Sequence, residues 1–131
     1  MVIVDTNIII DHLRSQSSTS VLIRLFDAYP EEPITTSVIC LQELYEGEST
    51  RDDQKEQYLL STLGSLDVLP YTVEIATLAG KLARDAKQSM EFADAAFAAT
   101  ALVNEAELFT LNQKHFTGIL NLKLRTLPSK P

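Results

Sequence analysis

The stretch MVIVDTN, residues 1–7, opens the chain with an apolar run that stops on an acid. Val2, Ile3 and Val4 are the β-branched residues of a buried strand, and Asp5, Thr6 and Asn7 form the turn out of it. A carboxylate at the carboxyl end of such a strand has two readings. It can cap or turn the chain. It can also face a ligand, because open parallel α/β sheets bind ligands outside the carboxyl ends of their strands.

The rest of the chain continues the alternation. Thr6 or Asn7 is expected to cap a helix from Ile8 to Leu13, followed by a polar break over Ser15–Ser20 and a second helix over Val21–Tyr29. Ile34–Thr36 reads as a strand, with Ser37 capping a helix over Val38–Tyr45 that stops at Gly47. Arg51–Leu63 reads as a helix ending at Gly64, and Val68–Leu69 as a brief strand. Thr72 is expected to cap a helix to about Gln88, with Ile75, Ala79, Leu82, Ala83 and Ala86 on one buried stripe. Glu91–Asn104 has almost no polar face and predicts a helix enclosed on several sides. Leu108–Leu111 and Leu122–Leu127 read as strands, and residues 128–131 as a loose tail. Strands alternating with helices predict one α/β domain over residues 1–131, with a mostly parallel central sheet.

Bulk composition narrows the function. The chain has 131 residues, enough for one self-sufficient core, and its 45% apolar and 22% charged content is that of a globular protein. No apolar run reaches the roughly 18 residues of a membrane span, and no signal-peptide pattern precedes Asp5. Cys40 is the single cysteine, which excludes an internal disulfide and fits a reducing cytoplasm. The net charge of −7, from 18 acids and 11 bases, argues against a broad basic face for phosphates. It is compatible with a nuclease whose carboxylates bring in divalent cations. The four glycines form no phosphate-binding loop. His12 and His115 do not make a zinc motif, and Cys40, in an apolar helix, reads as a core residue rather than a nucleophile.

Three acids stand where packing alone would not put them. Asp5 ends the first strand, Glu43 lies among Val38, Ile39, Leu41, Leu44 and Tyr45, and Asp94 interrupts the alanine-rich helix. Each has an ordinary alternative: a cap for Asp5, a solvated face for Glu43, a partner for the helix dipole for Asp94. Together they point to a shared site in which a divalent cation offsets the cost of burying charge. Asp11, Glu46 and Asp85 are adequately explained by solvated helix faces.

The blocks VDTNIIIDHLR, TTSVICLQELYEG, FADAAFAATA and LFTLNQKHF, in that order over nearly the whole chain, resemble the PIN domain, most closely the small VapC-type toxins of toxin–antitoxin pairs. The resemblance implies a three-layer α/β/α fold and an endoribonuclease dependent on Mg2+ or Mn2+. It implies that Asp5, Glu43 and Asp94 hold the metal, joined in catalysis by Asn112, with Thr6, Asn7 and Thr110 in matching polar blocks. Many relatives carry an aspartate at or near Asn112, and often another acid where this chain has His115. An amide oxygen ligates magnesium without adding charge, so a single tight metal plus a second brought by substrate is the expectation. The expected substrate is structured RNA such as transfer RNA, cut by water to 5′-phosphate and 3′-hydroxyl ends. Arg14, Lys114 and Arg125 are candidate phosphate contacts, each with a solvated face as the alternative. A catalytically weak RNA-binding module and a metal-dependent phosphatase are the competing functions. The expected partners are a small DNA-binding antitoxin, seated in a groove around Asp5, Glu43 and Asp94 that is flanked by Val21–Tyr29 and Val38–Tyr45, and a second copy of the chain as a homodimer, with no membrane.

Overall fold

The computed structural model describes residues 1–15 and 19–128. Most of the expected tail and the middle of the expected polar break lie outside these residues. Four strands, β1 (Val2–Val4), β2 (Ile34–Ser37), β3 (Asp67–Leu69) and β4 (Glu107–Phe109), form one sheet in the order β3-β2-β1-β4. Every pairing is parallel, with Ile3 opposite both Thr35 and Leu108. The chain moves outward from β1 through β2 to β3, then returns to place β4 on the other side of β1. The strand order therefore reverses between β1 and β4. That is the switch point where parallel α/β sheets open a crevice at their carboxyl ends.

Among the described residues, six α-helices flank the sheet: α1 (Thr6–Ser15), α2 (Val21–Ala28), α3 (Val38–Glu46), α4 (Asp53–Leu63), α5 (Val73–Asp85) and α6 (Phe92–Val103). Local chemistry accounts for their starts. The Ser20, Ser37, Asp52 and Thr72 side chains accept from backbone amides two or three residues on, capping α2, α3, α4 and α5. Asp11, read as a solvated acid, adds to the α2 cap by accepting from the Val21 amide at 3.0 Å. His12 is buried as a cross-brace, with Nδ1 2.7 Å from Ser20 Oγ and Nε2 3.1 Å from the Tyr58 hydroxyl. α1 begins at Thr6, so Thr6 and Asn7 are its first residues rather than its caps, and Asp5 stands directly before it.

α6 is enclosed as expected: Ala95 through Ala101 are all buried, against α5, α3, β1 and β4. Its alanines let backbone approach backbone closely, while Phe97 fills the main core with Ile3, Ile8 and Leu108. α5 lays Ile75 and Ala79 on Ala95 and Ala99. It stops at Asp85 because Ala86 turns extended, so the predicted stripe is shorter than expected and Ala83 is exposed. The expected last strand, Leu122–Leu127, is reduced to one parallel bridge between Leu124 and Leu108. The chain enters that stretch through a left-handed turn at Asn121 (φ 69°), and its bonds to β4's backbone are those of Leu108, which donates to the Lys123 carbonyl and accepts from the Arg125 amide.

Candidate active site

Asp5 is a buried carboxylate held from several sides. It is 6% exposed, at the carboxyl end of β1. Its Oδ1 accepts from the Thr6 amide at 2.7 Å and its Oδ2 from the Thr110 hydroxyl at 2.8 Å. Asn7 Nδ2 reaches both Thr110 Oγ1, at 3.2 Å, and Asp5 Oδ2, at 3.4 Å. β1, α1 and the exit of β4 are thus tied at one carboxyl group. Burial pushes this carboxyl up to about 6, against the pull of the Thr110 and Thr6 donors, and the charges of Asp94 and Glu43 add a smaller upward push. Repulsion among the acids is real but secondary to desolvation.

Glu43 comes to the same region from α3. Its Oε1 accepts from the Thr6 hydroxyl at 2.5 Å, which leaves Thr6 bridging two carboxylates, by its amide and by its side chain. Asp94, in the first turn of α6, is half-buried, and burial raises its carboxyl while His115 lowers it. The Asp94 Oδ2 lies 3.1 Å from His115 Nδ1. The sequence offers no zinc motif for His115; its signal is its position, where the resemblance puts another acid in many relatives.

A family model described as PIN domain matches residues 2–118, nearly the whole chain. The chain belongs to the PIN domain family. The Ribonuclease VapC10 of Mycobacterium tuberculosis is 33% identical over 126 residues, covering 94% of this chain and 91% of that protein. Ribonuclease VapC19 of the same organism is 29% identical over 119 residues, covering 88% and 92%. Among solved structures, VapBC2 from Rickettsia felis, bound to a DNA fragment from their promoter, superposes with a TM-score of 0.84 at 25% identity over 98% of this chain and 100% of that one.

In this PIN domain the other expected site residues fall into distinct places. Thr110 is buried and holds Asp5, while Asn112 is exposed and donates its backbone amide to Thr110 Oγ1 at 3.0 Å. Lys114 is exposed on the 3-10 turn Gln113–Phe116, beside His115. Arg14 and Glu43 line a groove of about 520 Å³ between α1, α3 and α4, with Ile10, Leu13, Leu44, Lys55, Tyr58 and Leu59. This groove takes in Glu43 but not Asp5 or Asp94, and α3 flanks it. α2 does not, because it turns Leu22 and Leu25 into the core.

Arg125 is a correction. It is 9% exposed and clamped by Glu32 and Glu107, with its guanidinium 4.4 Å above the Tyr29 ring. Glu107 pairs with Val2 and Glu32 binds the N-terminal amine, so this cluster sits at the amino ends of the strands, away from the carboxylates. It is a structural ion network. Cys40 is a core residue, as expected, and burial pushes its thiol up to about 11, which keeps it protonated and inert at neutral pH.

The donors gathered at the site are oxygens on three carboxylates, the chemistry that a hard divalent cation takes. The raised Asp5 carboxyl marks a place short of positive charge, which such a cation would supply. Among the described residues, no three His, Cys, Asp or Glu side chains already close on one point at metal-binding range. The residues fit the ion by type and charge rather than as a finished cage.

Proposed function

We propose that this PIN domain is a VapC-type toxin, an endoribonuclease that needs Mg2+ or Mn2+ and is held in check by an antitoxin. The observation that carries the reading is Asp5, a carboxyl 6% exposed at the sheet's switch point, with Asp94 and Glu43 close enough to press on its charge. Identity of 33% to a protein named as a ribonuclease supports it.

In this reading Asp5, Glu43 and Asp94 hold the cation. When bound, the ion supplies Lewis-acid chemistry, lowering the pKa of water and offsetting phosphate charge. The chain's own residues set the frame for it. Thr6 fixes the distance between Asp5 and Glu43 by bonding both. Thr110 and Asn7 stop the Asp5 carboxyl from turning, and His115 meets Asp94 from the opposite wall. Asn112 and Lys114 are exposed on the loop after β4, and in this reading they meet RNA. Water as nucleophile predicts 5′-phosphate and 3′-hydroxyl ends, and unpaired loops of structured RNA, such as transfer RNA, are the substrate class.

The antitoxin reading draws on a solved toxin–antitoxin complex from Klebsiella pneumoniae with this fold. The groove beside Glu43 has apolar Ile10, Leu13, Leu44 and Leu59 for an amphipathic segment, and a carboxylate at its edge for an arginine or lysine. Val73 and Phe92, 84% and 72% exposed at the starts of α5 and α6, offer a face for a homodimer. No helix among the described residues is long and apolar enough to cross a membrane.

The test is incubation of the purified chain with end-labelled transfer RNA in Mn2+ or in EDTA, alongside p-nitrophenyl phosphate. Internal cuts in Mn2+ alone support the reading. RNA binding without cleavage marks a binding module, and turnover of the small ester marks a phosphatase.

A further inference from the structure

The three carboxylates are held by different means. Asp5 has Thr6, Asn7 and Thr110, and Glu43 has Thr6, all polar residues of the quoted sequence blocks. Asp94 stands between apolar Ala93 and Ala95 on α6, and its hydrogen-bond partner is His115, 21 residues further on. We propose that His115 is a positioning residue that fixes the Asp94 carboxylate for the cation while adding no negative charge to the site. The inference rests on the cation-site reading of Asp5, Glu43 and Asp94.

Against a carboxylate, Nδ1 carries the proton and donates. Holding Oδ2 fixes the plane of so short a side chain and leaves Oδ1 presented at a set angle. His115 is itself well placed to hold. Its turn is pinned by Phe116, 2% exposed in the main core, and by its own amide, which donates to the Asn112 carbonyl at 3.0 Å. The Asn112 amide in turn donates to Thr110 Oγ1, the hydroxyl that grips Asp5. One short run, Thr110–Phe116, therefore grips two carboxylates from two elements, β1 and α6, and sets their separation. Hydrogen-bonding partners of ligating carboxylates commonly change metal affinity by about 10–100-fold when removed. A fourth acid in place of the imidazole would add charge to a region where burial already raises Asp5 and Asp94.

The experiment is Mn2+ titration by calorimetry, with transfer RNA cleavage in parallel, on the full chain as wild type, His115→Ala, His115→Phe and His115→Asn. Ala and Phe are expected to weaken Mn2+ binding by about tenfold or more. They should lower kcat at limiting Mn2+, leave KM for RNA unchanged and regain kcat in excess Mn2+. Asn, which can donate from near the same place, is expected to restore most of the affinity. Phe keeps the ring and removes the donor, so it separates the hydrogen bond from packing if Ala lowers the melting temperature. Wild-type Mn2+ affinity in both Ala and Phe, or a raised KM with unchanged affinity, overturns the role. A wild-type chain that binds no Mn2+ overturns the cation site itself, and this role with it.

Discussion

The Thr110 hydroxyl donates to Asp5 Oδ2 at 2.8 Å across 105 positions of sequence, joining the exits of β1 and β4. Those are the two strands between which the chain order reverses. The bond makes the fold's switch point and the candidate site one structure. Thr110 also accepts from Asn7 and from the Asn112 amide, so it is a hub rather than a single contact.

Thr110→Val keeps the shape and removes that hub. It strands two donors and leaves a buried carboxylate short of one, so a loss of about 1–3 kcal/mol is expected in urea unfolding. RNA cleavage should fall by about tenfold or more, since ligand orientation goes with it. Thr110→Ser should retain most of both. An unchanged denaturation midpoint for the valine variant would show that Asp5 is held without Thr110.

The network at the opposite pole predicts a pH dependence. Hydrogen bonds from Arg125 hold the Glu32 and Glu107 carboxyls below the ordinary glutamate value of 4.5. Lowered folded values mean that their contribution to stability is present above about pH 4.5 and is lost as pH falls through those lowered values. Arg125→Met should therefore unfold more readily at pH 7 and show a shallower further loss below pH 4.5. Chemical denaturation across that window measures it. Cleavage parameters per folded molecule should be unchanged, because Arg125 lies away from the carboxylates. A raised KM for RNA would restore it as a phosphate contact.

Asn112→Asp adds a charge on the exposed loop after β4, two residues from the Thr110 that grips Asp5. Tighter Mn2+ binding is expected, since added carboxylate charge strengthens hold on a hard cation. Calorimetric titration decides it. Unchanged or weaker affinity would place residue 112 outside the metal shell, with its backbone amide on Thr110 as its contribution.

Much of this was legible in advance because it rests on local chemistry. Ser37 and Thr72 cap the helices they precede, and β1 runs into Asp5 as a β-branched strand must if its end is to meet the sheet's crevice. The alanine run of α6 announced close packing on several sides. What escaped depended on distant partners. Arg125 reads as a basic residue of the expected last strand until topology places it between Glu32 and Glu107. Leu122–Leu127 has strand-like alternation, but only Leu124 finds a bridge on β4. His115 carries no local mark of its bond to Asp94, because that bond depends on where the turn after β4 lands against α6. The end of a buried strand announces the burial of Asp5, the larger cause of its shift, whereas the Thr110 donor that opposes it comes from 105 residues away and leaves no mark in the sequence.

The most direct test is the initial rate of internal transfer RNA cleavage by wild type and Asp94→Asn, as Mn2+ is titrated into EDTA-treated protein. The account predicts no cleavage by wild type without the ion and a saturable rise with it. Asp94→Asn should stay at least about 100-fold lower at every concentration, with an unchanged or higher melting temperature, because a ligand is lost and a half-buried charge is relieved. Wild-type rates from Asp94→Asn, or full activity in excess EDTA, would contradict it.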